Sequence, residues 1–555
     1  MILSSRSLDG ESDISTHICI VGAGAAGISL ACELDGLGVS VVLLEAAGTG
    51  ILGGVSQDPY EGTATGAHPQ PSNFRRRAFG GTTTIWGGRC VPYDPIDFER
   101  REYAPKSGWP IPYREVAQYY PKAMAYCDAG VFDFSVSGAL ENQTPTIPGL
   151  DPAADVEANL IERYSLPTDF GARYRKKLEQ SANVRVVTHA HAVRLLKDPV
   201  GDRIAALEFA TRSGRTAKVN AQLFVLALGG IETTRFLLAS DLEGTGLGNR
   251  FDLLGRYYTC HLENILGAVR SKRPGVVFGF EKTRDGVYAR RKLQIRESAQ
   301  QREGILNIAF RLHYPNIADP QHRSSVLSAV YVAKRIVIPE YRRILQHGKN
   351  DPASPLLLTQ HVRNLVTGIP QLLGFAIDWT RRRVLAERKL PYMLVPNADG
   401  SYPLEFHAEQ TPLHESRISL IGDKDAYGIP RVKIDWRTCE TDVDSICKAY
   451  RLLKRQIDAS RQCSLEFDDK QLEASAAQSL PVGGHHIGTA RMSGGPSDGV
   501  VDTNCSVHGL PNLFIASSAV FPTSGHANPT LTIVALSIRL AVRIKTILSA
   551  GRSTL

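Results

Sequence analysis

The sequence predicts an α/β protein (α+β overall) built on a parallel, nucleotide-binding sheet into which a second lobe is inserted. Three observations carry that reading. Residues 17–45 spell a complete strand, glycine turn, helix, strand and acid. Two later apolar strands, at 222–228 and 509–522, run into turns that open helices. Between about residues 265 and 478 the character changes to polar and basic segments, Pro-containing loops and short alternating strands. A length of 555 residues already exceeds the usual size of one core, so two domains or two intertwined lobes are expected.

The first unit begins with the apolar strand His17-Ile-Cys-Ile-Val21, which runs straight into Gly22-Ala-Gly24-Ala-Ala-Gly27. Gly22 allows the tight turn, Gly24 lets backbone approach a pyrophosphate, and Gly27 lets helix and strand pack closely. Residues 28–37 have helical spacing, Gly38 stops them, and residues 39–44 form a second strand ending at Glu45. That acid lies 18 residues after Gly27, where a carboxylate can take two ribose hydroxyls. With both strands and the acid in place, the unit reads as an adenine dinucleotide site.

Residues 46–78, rich in Gly, Pro and Thr, read as a long loop over that site. It ends in Arg77-Ala-Phe-Gly80-Gly81-Thr82-Thr83-Thr84-Ile85-Trp86-Gly87-Gly88-Arg89, whose paired glycines, three hydroxyls and tryptophan suit backbone lying against a flat cofactor. A buried turn with a packing tryptophan is the alternative. Residues 107–128 carry Pro-Tyr punctuation and then a helical pattern outside the nucleotide core. Residues 183–193 alternate as one strand with His189 and His191 on one face; no third ligand stands near, so both read as structural. Residues 222–228 are a buried strand closed by Gly229-Gly230-Ile-Glu-Thr-Thr-Arg235, a strand-to-helix turn of the same sheet. Within the inserted lobe, 355–363 and 442–455 are candidate helices, and 305–312 and 417–421 are candidate strands.

Composition excludes several classes. Apolar residues make up 43% and charged residues 22%, ordinary for a globular chain. The net charge of +8 is mild, and the basic runs at 75–77 and 381–383 read as solvated faces, so no nucleic-acid partner is expected. Nine scattered cysteines without C-x-x-C or zinc spacing read as reduced, buried thiols, with no metal. The first residues lack a signal-peptide pattern, and no stretch approaches the ~20 apolar residues of a membrane span. The cytoplasm is the expected location.

Two segments near the C-terminus carry the chemistry. Pro481-Val-Gly-Gly-His485-His486-Ile-Gly-Thr-Ala-Arg491-Met492 packs two histidines into a glycine-rich turn. Ser524-Gly-His526-Ala-Asn528-Pro529-Thr530-Leu-Thr532 reads as a helix start, with Asn528 as cap and Pro529 as first helical residue, continuing to Ile547. A helix N-terminus offers free N–H groups and partial positive charge, a seat for a cofactor that becomes anionic on reduction.

Together these pieces resemble the glucose–methanol–choline (GMC) family of flavin oxidoreductases, over the N-terminal unit, 77–89, 225–238, 409–420 and 481–547. The resemblance implies a Rossmann-like FAD-binding domain (1–100, 180–264 and 479–555) interleaved with an antiparallel-sheet substrate-binding domain (101–179 and 265–478). It implies FAD rather than NAD, contacted by Gly22, Gly24, Ala26, Gly27, Glu45, Arg77, Gly81, Thr82, Trp86, Gly87, Val193, Gly229, Ser517, Ser518, Asn528 and Thr530. In the family's H-x-x-G-T-x-R-M segment the catalytic histidine falls here on His485, with His486 as its rival. The N-P-T-x-T form places the second catalytic position on Asn528, with His526 as the alternative. His486 and His526 are otherwise expected to face the substrate. Where pyranose 2-oxidase carries a histidine covalently linked to the flavin, this chain has Ile85, so non-covalent FAD is expected.

The implied reaction oxidises an alcohol to a carbonyl, with His485 taking the hydroxyl proton, hydride passing to flavin N5, and Asn528 holding the oxygen. The motifs look most like the sugar-oxidising branch, so a secondary hydroxyl of a sugar or glycoside is the first substrate expectation. A hydroxyl on a secondary metabolite, such as an aminosugar or polyketide intermediate, is the second, and a non-redox lyase of the same fold is the third. The electron acceptor is O2 or an external acceptor.

Overall fold

In the computed structural model, all residues are described except 9–12, 51–54, 167, 242–244, 273–274, 338–354, 396–399 and 553–555. A nine-stranded sheet holds the N-terminal unit. Its main path runs Ile2–Ser4, Val184–Thr188, Val41–Leu44, Asp13–Val21, Thr216–Leu226, Leu510–Ile515 and Ser506–Val507. The first six of these are parallel. Residues 18–21 and 41–44 are contiguous buried runs, the pattern of parallel strands covered on both faces. Ala25–Leu34 and Thr530–Arg552 pack against each other in the same core. The Gly22 turn has φ of +102°, and a β-carbon at Gly27 would stand 1.9 Å from the Gly22 carbonyl oxygen. Only glycine fits either place.

The second sheet is antiparallel: Cys463–Glu466, Leu262–Ser271, Ser401–Ala408, Ile308–Leu312, Tyr288–Ile295, Val156–Tyr164 and Arg89–Cys90 in order, with Leu480–Pro481 pairing beside Leu262. Helix Glu440–Ala459 covers it, its Tyr450 standing edge-on to Phe310 and Phe406 at 5.3 and 5.8 Å. A third, small sheet (Arg417–Lys424, Pro430–Asp435, Gly62–Ala64) packs Ile418, Val432 and Ile434 on Ile231. The interleaved α/β architecture is the one expected.

Several local expectations change. Residues 183–193 are two strands, Val184–Thr188 and His191–Lys197, broken where His189 takes φ of +56°. The two histidines therefore do not share a face: His189 bonds to Ser4 and Arg212, His191 to Arg77. The first helix spans Ala25–Leu34, three residues early at each end, because the glycine turn itself opens it. The C-terminal helix begins one residue late: its first bond runs from the Ile533 N–H to the Pro529 carbonyl, and Asn528 spends its side chain elsewhere. Residues of the 101–179 stretch enter the first core. Trp109 packs 5.2 Å from Phe521 and donates to Thr523, and Tyr120 hydrogen-bonds Thr532. Conversely, Arg89–Cys90 extends the second sheet. Long-range apolar partners decide these assignments, and local pattern does not carry them.

Candidate active site

The carboxyl ends of the parallel strands open on a cavity of about 240 Å³, the usual ligand crevice of an open α/β sheet. Gly22, Gly24, Ala26, Glu45, Arg77, Gly81, Thr82, Trp86, Gly229, Ser517, Ser518 and Thr530 line it, and so does His486. Gly27 lies behind the turn, Gly87 is outside the lining, and Ala192 takes the place expected of Val193, because successive strand residues face opposite ways. Arg75, Arg76 and Arg77 also line the cavity. Arg75 pairs with Glu232 at 2.9 Å and lies 3.7 Å over the Tyr60 ring, so Arg75 and Arg77 are held in the cleft wall, while Arg76 is exposed as expected.

The cleft suits a dinucleotide. A β-carbon at Gly24 or Gly229 would meet nothing within 4 Å, so backbone there fronts open space. Glu45 is buried at the end of its strand and accepts from the N–H groups of Ala23 and Ala47 at 2.9 and 2.8 Å; burial raises its carboxyl pKa, against those two bonds. Arg77 donates to His191 Nδ1, leaving His191 an Nε2–H donor, buried and without a partner, in a ring that lines the cavity. Across the cleft, Pro529, Thr530 and Ile533 bring up the N-terminus of the last helix. Because Ile533 makes the first intrahelical bond, the N–H groups of 530–532 lie ahead of the helix ladder.

Beside this cleft stands a chain of four side chains whose donors and acceptors are mutually determined. Backbone bonds between 259 and 487, and between 261 and 482, set His261 next to His485. His261 Nε2 is 2.9 Å from the Ser524 carbonyl, which can only accept, so His261 carries its proton on Nε2. Its Nδ1 must then accept. It does so from His485 Nδ1 at 2.7 Å, which leaves His485 Nε2 as a bare lone pair. At 2.9 Å the Asn528 amide nitrogen donates to that lone pair. The amide cannot turn over, because its Oδ1 accepts from Arg89 Nε at 2.6 Å. His485, Asn528, His261 and Arg89 thus form one directed relay. Burial, reinforced by His261 and Arg89, holds His485 well below the ordinary histidine pKa, and burial lowers His261 to about 3.

Arg89 is held in turn by Glu162 at 3.7 Å, which binds Arg311 at 2.7 Å, and Arg311 binds Glu405 at 3.0 Å. Against the cost of burial, these cations keep Glu162 low and bring Glu405 to about 2. His407 lies between Arg89 (3.1 Å) and Glu263 (3.2 Å). Glu263, Glu405 and His407 come close enough together to hold a cation; the guanidinium groups of Arg89 and Arg311 already stand against them and compete for that role. Of the two other histidines expected at the substrate, His486 stacks nearly parallel to Tyr258 and lines the nucleotide cavity. His526 is buried in a separate network with Asp94 (3.2 Å) and Lys292 (3.1 Å). His261, Arg89 and His407 were not singled out in the sequence. The nearest signal was Arg89 closing the glycine-rich segment; His261 stands just before strand Leu262–Ser271 and His407 within Ser401–Ala408, with no motif around either.

A cleft that suits a dinucleotide, with an imidazole–amide pair beside it, fits an oxidoreductase. Residues 412–537 match the family model described as GMC oxidoreductase. The chain is 23% identical to 2-methyl-1,2-propanediol dehydrogenase of Mycolicibacterium austroafricanum, over 83% of this chain and 79% of that one. It is also 23% identical to 6'''-hydroxyparomomycin C oxidase of Streptomyces lividus, over 98% and 94%. Among solved structures, a formate oxidase covers 97% of this chain, and 99% of its own, with a TM-score of 0.51 at 15% identity, which shows the shared fold. Residues 412–537 thus carry the C-terminal domain of the GMC oxidoreductases, and the relatives that this chain resembles along most of its length are named as a dehydrogenase and an oxidase. The match implies FAD.

Proposed function

We propose that the protein oxidises a hydroxyl of a sugar or glycoside to a carbonyl, with His485 as base and Asn528 as its oxygen-holding partner. The directed contact between Asn528 and the unprotonated Nε2 of His485 carries this reading. An alcohol oxygen entering between the two would give its proton to Nε2 and accept a hydrogen bond from the amide. FAD, when bound, supplies the hydride acceptor for the carbon bearing that oxygen. Gly22, Gly24, Gly81 and Thr82 would take its pyrophosphate and Glu45 its ribose, and the helix beginning at Thr530 would favour negative charge at the far end of the cleft. Ile85 offers no atom for a covalent link, which supports non-covalent FAD. The parallel-sheet unit serves as the FAD domain, and the antiparallel sheet presents Arg89, Glu263, Glu405 and His407 to the substrate.

A polyhydroxylated substrate fits a wall of carboxylates, guanidinium groups and imidazole, and the Streptomyces lividus relative is named for a hydroxylated paromomycin. The test is anaerobic reduction of the purified flavoprotein by a panel of sugars, glycosides and aminoglycosides, one at a time, with wild type and His485→Ala. Bleaching of the wild type by one of them, slowed by about two to four orders of magnitude in the variant, is the expected result for loss of a general base. A His485→Ala protein that binds FAD and reduces at full rate would refute the assignment. Readmitting air then separates an oxidase from a dehydrogenase.

A further inference from the structure

Eight of the eighteen exposed large apolar residues among those described lie in one stretch, 358–385. Helix Pro355–Thr367 passes through Gly368 into helix Ile369–Trp379 and a last wider turn, Thr380–Leu385. At 1.5 Å per residue this is a rod of about 45 Å. Leu358, Val362, Val366, Ile369, Leu373 and Ile377 follow one another at intervals of three or four, so they form a single stripe along it. None of the residues of Ile369–Trp379 is fully buried; Val366 is 64% exposed, Leu373 59% and Leu385 74%. The rod already has its inward contacts. Leu372 and Phe375 pack on the small core of Ile317, Val326 and Leu327, and Trp379 packs toward Tyr164 and Leu390. The stripe is a second apolar face, beside the one that holds the rod down.

Basic charge accompanies that stripe. Arg363 and Arg381 are both exposed, one in the first helix of the rod and one in its last turn. Across 357–391 the chain has six basic and two acidic residues, half of its net charge in 35 positions. A long exposed apolar stripe accompanied by arginines, with no described helix able to cross a bilayer, has the chemistry of a helix lying in the plane of an anionic lipid surface. We propose that 358–385 docks the enzyme onto anionic lipid, the stripe entering the interface and Arg363 and Arg381 meeting head groups. A cytoplasmic enzyme would meet such lipid on the inner leaflet.

The experiment is flotation of the FAD-loaded protein with phosphatidylcholine vesicles made with and without phosphatidylglycerol, at low and high salt, alongside light scattering of the free protein. Wild type is expected to float with phosphatidylglycerol vesicles and to release at high salt. The double variant Arg363→Ser/Arg381→Ser should lose roughly 30-fold in partitioning, at about tenfold per 1.4 kcal/mol and about 1 kcal/mol per basic residue. Leu373→Asp/Ile377→Asp should stop flotation altogether while keeping FAD content and turnover, since neither residue touches the cleft or the relay. Three results would overturn the proposal: no flotation of wild type at any composition, flotation indifferent to both variants, or a wild-type dimer that Leu373→Asp/Ile377→Asp dissociates, which would make the stripe a contact between copies.

Discussion

His261 offers the sharpest test of the relay, because its contribution acts through another residue. Replacing it with leucine removes the acceptor of the 2.7 Å bond from His485 Nδ1 and leaves that N–H facing the fully buried position of residue 261. A buried donor left unsatisfied costs about 1–3 kcal/mol. Because the bond fixes the tautomer that leaves Nε2 free, the cost falls on the reactive form of the base, so the rate should drop by roughly 5- to 160-fold at a factor of ten per 1.4 kcal/mol. Glutamine at the same place can reproduce both contacts, its oxygen accepting from His485 and its amide donating to the Ser524 carbonyl. The assay is stopped-flow flavin reduction under anaerobic conditions, read as a limiting rate and a substrate dissociation constant. His261→Leu should slow the limiting rate with little change in the dissociation constant, and His261→Gln should stay within a few-fold of wild type. If His261→Leu reduces as fast as wild type, the tautomer does not depend on His261. If glutamine is as slow as leucine, the ring serves only as packing.

Acid should unfold the protein early. His191 and His261 are buried with pKa values brought down to about 3, against about 6.5 in an unfolded chain. Between those values the unfolded chain binds protons that the folded one refuses, so stability is full above pH ~6.5 and is lost as pH falls, at about 1.4 kcal/mol per pH unit for each histidine. Thermal melts from pH 7 to 4 should show a steepening loss, and a flat profile would contradict the buried neutral rings. The glycines should separate fold from cofactor. Gly24→Val, whose side chain would enter open cleft, should keep the fold but weaken FAD binding by about tenfold or more. Gly27→Ala, with a β-carbon 1.9 Å from a carbonyl oxygen, should lower the melting temperature of the cofactor-free protein as well. Flavin absorbance per protein and apo melting curves distinguish the two.

The parts legible in the sequence are those whose chemistry is local. The glycine turn, the acid after the second strand, and the Asn-Pro-Thr start of the last helix each need particular residues at fixed spacing, so the pattern announces the place. His485 and Asn528 were legible for the same reason, and the structure brings them within 2.9 Å of each other. The relay beyond them was not. His261 is 224 positions from His485, and Arg89 is 439 from Asn528. Arg89 opens a two-residue strand and His261 stands just before a strand, and neither is marked by a motif of its own. The run 75–77 misled for a related reason: Arg75 and Arg77 look as solvated as Arg76 until Glu232, Tyr60 and His191 arrive from elsewhere in the chain. His189 and His191 shared a face only as long as the strand was assumed unbroken. Strand periodicity gives no sign that a non-glycine residue will take a left-handed turn.

Arg89 sets a tension at the centre of the site. Its guanidinium is what orients the Asn528 amide, yet its charge is among the influences that hold His485 low and make it a weak base. A proton arriving on His485 would therefore add positive charge beside Arg89 and Arg311. Two features limit that cost. Glu162, buried and bound to both arginines, cancels part of their field before it reaches the imidazole. The helix beginning at Thr530 would favour negative charge in the cleft, were FAD bound there to supply the hydride acceptor. On the proposed mechanism the hydroxyl oxygen would give its proton to His485 while the adjoining carbon gives its hydride toward the FAD cleft. A stronger base would serve less well here: raised toward the ordinary histidine pKa, His485 would be partly protonated near neutral pH, and its Nε2–H would face the N–H of Asn528 with no acceptor between them.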